Sequence, residues 1–366
     1  VLPLLTAFKT AAPNDGYQRR VARALDAALG RARAADARHT FDLASSRYII
    51  FSDQHRGARN RADDFLRCER AYNAALAYYY KLGHTLVALG DVEELWKESP
   101  AAVLRHYAHT VQLEAEFHRE GRYLRLWGNH DDEWSEPENV AWHLEPAYGA
   151  PLTVHEGLLL RVVDDGAELG TLLLLHGHQG DPPADQWARF ARLGVRYGWR
   201  TFQRLTGYST NTPARDWQLR ERHNIALYAW AQAQSRLVLI AGHTHRPVFR
   251  SRTYMEQVRH ILGELEARQA QAPDDRRLRE LVGGFAAELE WARAQDYQAP
   301  GDEGEAVPMH KPCYFNTGCC SFVDGDITGL ELAGGEIRLV RWPDKHGRPR
   351  PQILSSAGLR DVLAAC

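Results

Sequence analysis

The chain has 366 residues, with 45 Lys+Arg against 47 Asp+Glu, 44% hydrophobic and 25% charged residues, the balance of a globular protein that buries a core. A net charge of −2 exerts no global pull on nucleic acid or an anionic membrane; with no apolar run near the roughly 18 residues of a membrane span, and only a short apolar start at Val1 to Leu5 without a basic leader, the expected location is cytoplasmic. The five cysteines, Cys68, Cys313, Cys319, Cys320 and Cys366, are odd in number and lack a CxxC pair, so they read as packing residues rather than as a disulfide framework or a zinc ribbon.

In chain order, Tyr17, Val21, Leu25 and Leu29 recur every four residues and predict an amphipathic helix within an N-terminal lead-in over 1–46. A domain over 47–366 follows. It opens with the β-type run Tyr48 to Ser52, then a helix over 62–82 that Gly83 ends, a strand Thr85 to Leu89, a helix over 101–120 that Gly121 ends, and a strand Tyr123 to Trp127. Strands alternating with helices of this length predict a largely parallel sheet. Leu158 to Val163 and Gly170 to Leu175 pair around Asp164-Asp165-Gly166 as a hairpin, and Leu237 to Ile240 is a further buried strand. Two helical insertions interrupt the domain. The first, over 182–233, is rich in aromatics and reads either as a lid or as a helical layer on the sheet. The second, over 254–296, is a charged hairpin broken at Ala272-Pro273, read as a solvated pair or a partner surface.

Five short polar motifs each follow directly on an apolar strand: Asp53-Gln54-His55, Gly90-Asp91, Gly128-Asn129-His130-Asp131, His176-Gly177-His178 and Gly242-His243-Thr244-His245. In an α/β sheet the C-terminal strand ends converge on one rim, so five such ends bring distant residues into one site. Carboxylate, imidazole and amide oxygen, without thiolate, make a donor set for a hard or borderline cation. In extended chain residues i and i+2 point the same way, so Asp53 with His55, and His243 with His245, each present two donors together. The glycines permit tight turns and close approach of backbone to a metal or phosphate.

The order DxH, GD, GNHD, H and GHTH resembles the calcineurin-like metallophosphoesterases over about residues 48–332. That resemblance implies an α/β fold, a four-layer αββα sandwich, with two divalent metal ions at the sheet rim, Mn²⁺ first and Fe or Zn as alternatives. It implies that Asp53, His55 and His245 hold one ion, that Asn129, His176 and His243 hold the other, and that Asp91 bridges them. The implied reaction is hydrolysis of a phosphate ester or pyrophosphate bond by a metal-bridged hydroxide, with His130 facing the substrate as a catalytic residue and Asp131 orienting it. Arg56, Arg59 and Arg246, just beyond the motifs, are the expected substrate-binding residues.

Within that family, Gly90-Asp91-Val92-Glu93-Glu94-Leu95-Trp96, Gly242-His243-Thr244-His245-Arg246-Pro247 and Tyr314-Phe315-Asn316-Thr317-Gly318 are most similar to the subgroup containing UDP-2,3-diacylglucosamine pyrophosphatase. The chain departs from it at His130, where well-studied members carry Arg, and at His178, where an HGD motif is usual. The expected substrate is therefore a phosphorylated small molecule or a nucleotide-type compound. Arginines interleaved with aromatics between Arg189 and Arg200 make a nuclease or cyclic-nucleotide phosphodiesterase the alternative, and a non-catalytic scaffold on the same fold is the third reading.

Overall fold

The structure, a computed structural model, describes residues 15–35, 38–61, 63–181, 217–273, 275–295, 311–344 and 347–366. Its strands form two seven-stranded sheets. Sheet one has the order β1 (Arg38–Asp42), β6 (Gly157–Asp164), β7 (Ala167–Leu175), β8 (Leu237–Ala241), β11 (Tyr314–Thr317), β9 (Pro247–Phe249), β10 (Arg252–Thr253). Sheet two runs β14 (Gln352–Gly358), β13 (Glu336–Trp342), β12 (Ile327–Ala333), β2 (Tyr48–Phe51), β3 (Thr85–Leu89), β4 (Tyr123–Leu126), β5 (Val154–His155).

Period-two alternation explains why the sheets stack. Tyr48 and Ile50 of β2 enter a core with Leu172 and Leu174 of β7 and Val238 and Ile240 of β8, which places it between the sheets. Ile49 and Phe51 point the other way, onto Tyr72 and Leu76 of α2 (Glu69–Lys81) and Val111 and Phe117 of α4 (Ala108–Arg119). On the far side, Leu173, Leu175 and Leu239 meet Val21 and Leu25 of α1 (Asp15–Ala34) and Trp230 of α5 (Trp217–Gln232). Both sheets are thus buried on two faces, which is why β2, β3 and β8 read as continuous apolar runs. The result is a four-layer αββα sandwich.

Strands β2, β3 and β4 pair in parallel, as do β7 and β8. The β6–β7 hairpin closes at Asp165 and Gly166, both with positive φ (48° and 80°), the geometry of a two-residue turn that matches strand twist. Three expectations need correction. The helix expected over 62–82 begins at Glu69, because a separate 3₁₀ turn at Asp64–Arg67 buries Phe65 first. The helix expected over 101–120 is two, α3 (Pro100–His106) and α4, since Tyr107 leaves helical geometry, with its hydroxyl donating to Asp63 at 2.7 Å and its ring 5.2 Å from Phe65. The hairpin expected to be a solvated pair or a partner surface, α6 (Tyr254–Gln271) with α7 (Arg276–Gln295), does carry exposed charges, yet Val258, Leu262 and Leu289 join the core between the sheets. Most of the first insertion, 182–216, with its lid reading and the Arg189 to Arg200 stretch, lies outside the described residues. Among the described residues no helix is long and apolar enough to cross a membrane, and all five cysteines are free, four of them buried.

Lead-in residues are woven into this frame: β1 pairs in parallel with β6, and the apolar stripe of α1 packs on the outer face of sheet one.

Candidate metal centre

All five motifs leave the C-terminal ends of strands. Those after β2, β3 and β4 come from sheet two, and those after β7 and β8 from sheet one, so the site straddles the rim where the two sheets meet. Loop-to-loop hydrogen bonds set its register: Asp53 N–H donates to Gly90 O (3.1 Å), His55 N–H to Asp91 O (2.9 Å) and Gly242 N–H to His176 O (2.8 Å). Five of the seven expected ligands, Asp53, His55, Asp91, His243 and His245, have φ between 51° and 67°. Left-handed backbone at non-glycine residues costs about 1–2 kcal/mol each and persists where the surroundings over-determine it.

Donor atoms gather in overlapping groups. Asp53, His55 and His245 form one, Asp91, His176 and His243 a second, and His55, Asp91 and His130 a third. His55 Nε2 lies 3.1 Å from His245 Nε2, which is 3.2 Å from Asp53 Oδ1. Between the first two groups, Asp91 Oδ2 sits 3.1 Å from His176 Nε2 and 3.8 Å from His55 Nε2, so one carboxylate is shared. Burial opposes ionisation of Asp53, but His245 and His176 outweigh it and bring its pKa down to about 2. Asp91 is likewise held well below the carboxylate range, against burial, by His176 and His130. In return Asp91 and Asp53 overcome burial and raise His176 to about 9. A cation entering here displaces protons.

The donor set fits a divalent cation for a reason beyond residue type. Asn129 Oδ1 is buried and has no hydrogen-bond partner, and the buried Nε2 of His176 meets the Asp91 carboxylate at 3.1 Å, although buried polar atoms are nearly always paired. The opposite ring nitrogen of His176 is committed: Nδ1 lies 2.8 Å from Leu89 O, which makes it the N–H and turns the Nε2 lone pair inward. Three further side chains do the same orienting work.

Asp181 Oδ2 lies 3.0 Å from His243 Nε2, leaving Nδ1 as the donor toward the second group. Glu94 spans two rings, 3.0 Å from His130 Nδ1 and 3.6 Å from His55 Nδ1. Asn316 Nδ2 donates to Gly242 O at 2.6 Å and pins the loop that carries His243 and His245. None of these three was assigned a role from sequence, though Glu94 and Asn316 fall within motifs quoted there.

Two site assignments are corrected. Asp131 does not orient His130. Its carboxylate is fully buried and accepts from the backbone N–H of Gly128 (2.6 Å), Val92 (2.9 Å) and Asp91 (3.2 Å), tying the second and third motif loops together. Glu94 orients His130 instead, and Trp96 stacks on the ring with centroids 3.7 Å apart. Burial disfavours the imidazolium of His130, but Glu94 and Asp91 prevail and raise its pKa.

Arg56 does not face the rim. It is fully buried, with both terminal nitrogens on Glu114 and Glu93 Oε1 at 3.9 Å, over the rings of Phe65 and Tyr72. Arg125, on Glu93, completes a buried network with Trp134 and Tyr148 beneath the second motif. A buried guanidinium requires such partners. Arg59 pairs with Glu69 at 2.7 Å and is partly exposed, and Arg246, next to His245, is half-buried.

The glycines serve the ligands rather than an incoming phosphate. A Cβ on Gly90 would stand 2.7 Å from His176 Cγ, and one on Gly242 would stand 2.6 Å from Asp53 Oδ2. Gly90 also has φ 87°, the region that favours glycine. His178, between His176 and Asp181, is buried, and burial together with His176 and His243 holds its pKa well below the imidazole range.

No family model and no curated protein matches the chain. Among solved structures it is similar to vacuolar protein sorting 29 from Cryptosporidium parvum, at 11% identity over 86% of this chain and 98% of that one, with a TM-score of 0.32. At that score the likeness carries no argument, and the reading of the site rests on its residues.

Proposed function

We propose that the chain is a metal-dependent phosphoesterase that hydrolyses a phosphate ester or pyrophosphate bond. The observation that carries this reading is Asp91 Oδ2 standing between the two donor groups, 3.1 Å from His176 Nε2 and 3.8 Å from His55 Nε2, with Asn129 Oδ1 buried and unpartnered beside them. In it Asp53, His55 and His245 would hold one divalent cation and Asn129, His176 and His243 the other, with Asp91 available to both. When bound, such cations would neutralise phosphoryl oxygens and lower the pKa of a water molecule; Mn²⁺ is the first choice and Fe or Zn the alternatives.

The protein's own groups supply the rest. Glu94 keeps a proton on His130 Nδ1 and so fixes which ring edge faces the rim, while the raised pKa favours the charged ring that can protonate a leaving oxygen. Asp131 holds the loops of Asp91 and His130 at a fixed separation. Arg246 and Arg59 remain the proposed contacts to substrate, a phosphorylated small molecule or nucleotide-type compound in the cytoplasm. The pyrophosphatase-like subgroup is the finer form of this proposal, supported by Glu94 and Asn316, since both motifs quoted for it brace the centre.

The test is hydrolysis of a p-nitrophenyl phosphodiester and monoester by chelator-stripped protein, before and after Mn²⁺, beside Asp91→Ala. Turnover that depends on metal and vanishes in the variant is the expected result. A protein that stays fully stable without metal and turns over neither ester with Mn²⁺, Fe²⁺ or Zn²⁺ would be a scaffold.

A further inference from the structure

Four buried imidazoles crowd the sheet-one side of the centre, and three of them are committed. His176 Nδ1 is 2.8 Å from Leu89 O, and His243 Nε2 is 3.0 Å from Asp181. His223 is held at both nitrogens, 2.7 Å from the Tyr17 hydroxyl and 2.5 Å from Gly177 O. The fourth, His178, has Nδ1 buried without a hydrogen-bond partner, and the residue is only 8% exposed. An unsatisfied buried polar atom costs about 1–3 kcal/mol, so its retention calls for a ligand.

The position of the ring says which ligand. Its centroid lies 5.5 Å from that of His176 and 6.4 Å from that of His243, close to the 5.4 Å between those two. Yet His178 contributes a donor atom to none of the cation-binding groups, so it stands beside the centre rather than in it. Trp127, which immediately precedes the third motif, backs the ring at 5.2 Å. An imidazole N–H beside a bound cation meets whatever anion the cation attracts.

We propose that His178 contacts the substrate, donating a hydrogen bond to a phosphoryl oxygen on the side of the centre formed by Asn129, His176 and His243. The inference rests on the phosphoesterase reading above. It makes His178 a residue that binds the transferred group, distinct from His130, which groups with His55 and Asp91 and stacks on Trp96.

The experiment is calorimetric binding of inorganic phosphate to the Mn²⁺-loaded full chain, for the wild type, His178→Leu and His178→Asn, with Mn content and thermal stability measured on each. Losing a hydrogen bond to a charged oxygen weakens phosphate binding about 10- to 100-fold in His178→Leu. Mn content stays unchanged, and the melting temperature is equal or higher, because no protein bond is removed. His178→Asn, which keeps an N–H near the Nδ1 position, recovers part of the affinity. Phosphate affinity within twofold of wild type in His178→Leu overturns the proposal, as does loss of Mn alongside phosphate, or a Mn²⁺-loaded wild type that binds no phosphate. A wild type that binds phosphate through His178 but hydrolyses no ester defeats the phosphoesterase reading and leaves this contact standing.

Discussion

Gly128→Ala tests whether the centre is built by steric fit between its loops. Gly128 has no left-handed backbone to strain, so the substitution adds a methyl group and little else. That carbon would land on Asp91 Oδ1 and stand 2.7 Å from both Asp91 N and His176 Cδ2, where carbon contacts are comfortable only from about 3.5 Å. The loops must therefore part by roughly 0.8 Å, and they are not free to do so. One carboxylate, Asp131, accepts from the N–H groups of both Gly128 and Asp91. Overpacking of this kind costs about 1–3 kcal/mol, which for a chain of this length lowers the melting temperature by about 1–4 °C. The functional effect is larger, because metal sites tolerate ligand shifts of only about 0.2 Å and the Asp91 carboxylate stands between His176 and His55. Mn content per chain after equilibrium dialysis, together with calorimetry, reads both effects. Gly30→Ala is the control: Gly30 lies in α1 with nothing within 4 Å of the added carbon, and alanine there stabilises the helix by up to about 1 kcal/mol. A Gly128→Ala protein with wild-type Mn content and melting temperature would refute the steric argument.

His130→Ala should retain its Mn and lose about 10²- to 10⁴-fold in kcat, the usual worth of a proton donor; if Mn falls as it does in Asp91→Ala, His130 is a ligand through its grouping with His55 and Asp91. Arg56→Ala strands Glu114 in the interior and should cost about 3–5 kcal/mol by denaturant titration. Unchanged stability with a raised KM would return Arg56 to the substrate. His84, buried with Arg47, Arg122 and Arg338 around it, has its pKa lowered to about 4, burial being the main cause. Glu331 lies 4.0 Å from it but is already paired with Arg338 at 2.7 Å, so the arginines prevail. The unfolded chain takes up this proton near pH 6.5 and the folded chain only near 4, so its contribution to stability is full above 6.5 and is lost as pH falls toward 4, by roughly 3 kcal/mol. Unfolding free energies of wild type and His84→Asn should diverge over that window; parallel curves would discard the assignment.

What was legible in the sequence and what was not divide along a physical line. The candidate donor positions could be read because two local signals coincide at each: an apolar run buried on both faces, then a donor residue at its C-terminal end. Both signals sit within about eight residues of one another, as in Tyr48 to His55 or Leu237 to His245. The four layers were implied by the resemblance rather than by local pattern, and in the structure the alternation of Leu172 with Leu173 and of Ile49 with Ile50 assigns the opposite faces. The helix boundaries failed where a tertiary contact overrides periodicity, at Phe65 and at Tyr107, whose side chains meet each other.

Charged residues beside the motifs were illegible because their partners are remote. Arg56 follows a ligand directly and so read as a rim residue, but its partner Glu114 lies 58 positions away on a helix whose own sequence gives it no special mark. Asp131 follows His130 and so read as its partner, yet its acceptor capacity is taken by three backbone N–H groups, two of them about 40 positions upstream. Glu94 could not be told from Glu93 by type or spacing; the structure separates them completely, one turned to His55 and His130 and the other to Arg125 and Trp134. Adjacent carboxylates thus divide the labour of the second motif. Glu94 sets the rings of His55 and His130, and Glu93 anchors the loop to the core through a network that no local pattern encodes. It follows that exchanging the two, by Glu93→Gln against Glu94→Gln, separates stability from site chemistry: the first should lower the unfolding free energy with metal affinity kept in the surviving folded protein, and the second should weaken metal binding at His55 while leaving the fold intact.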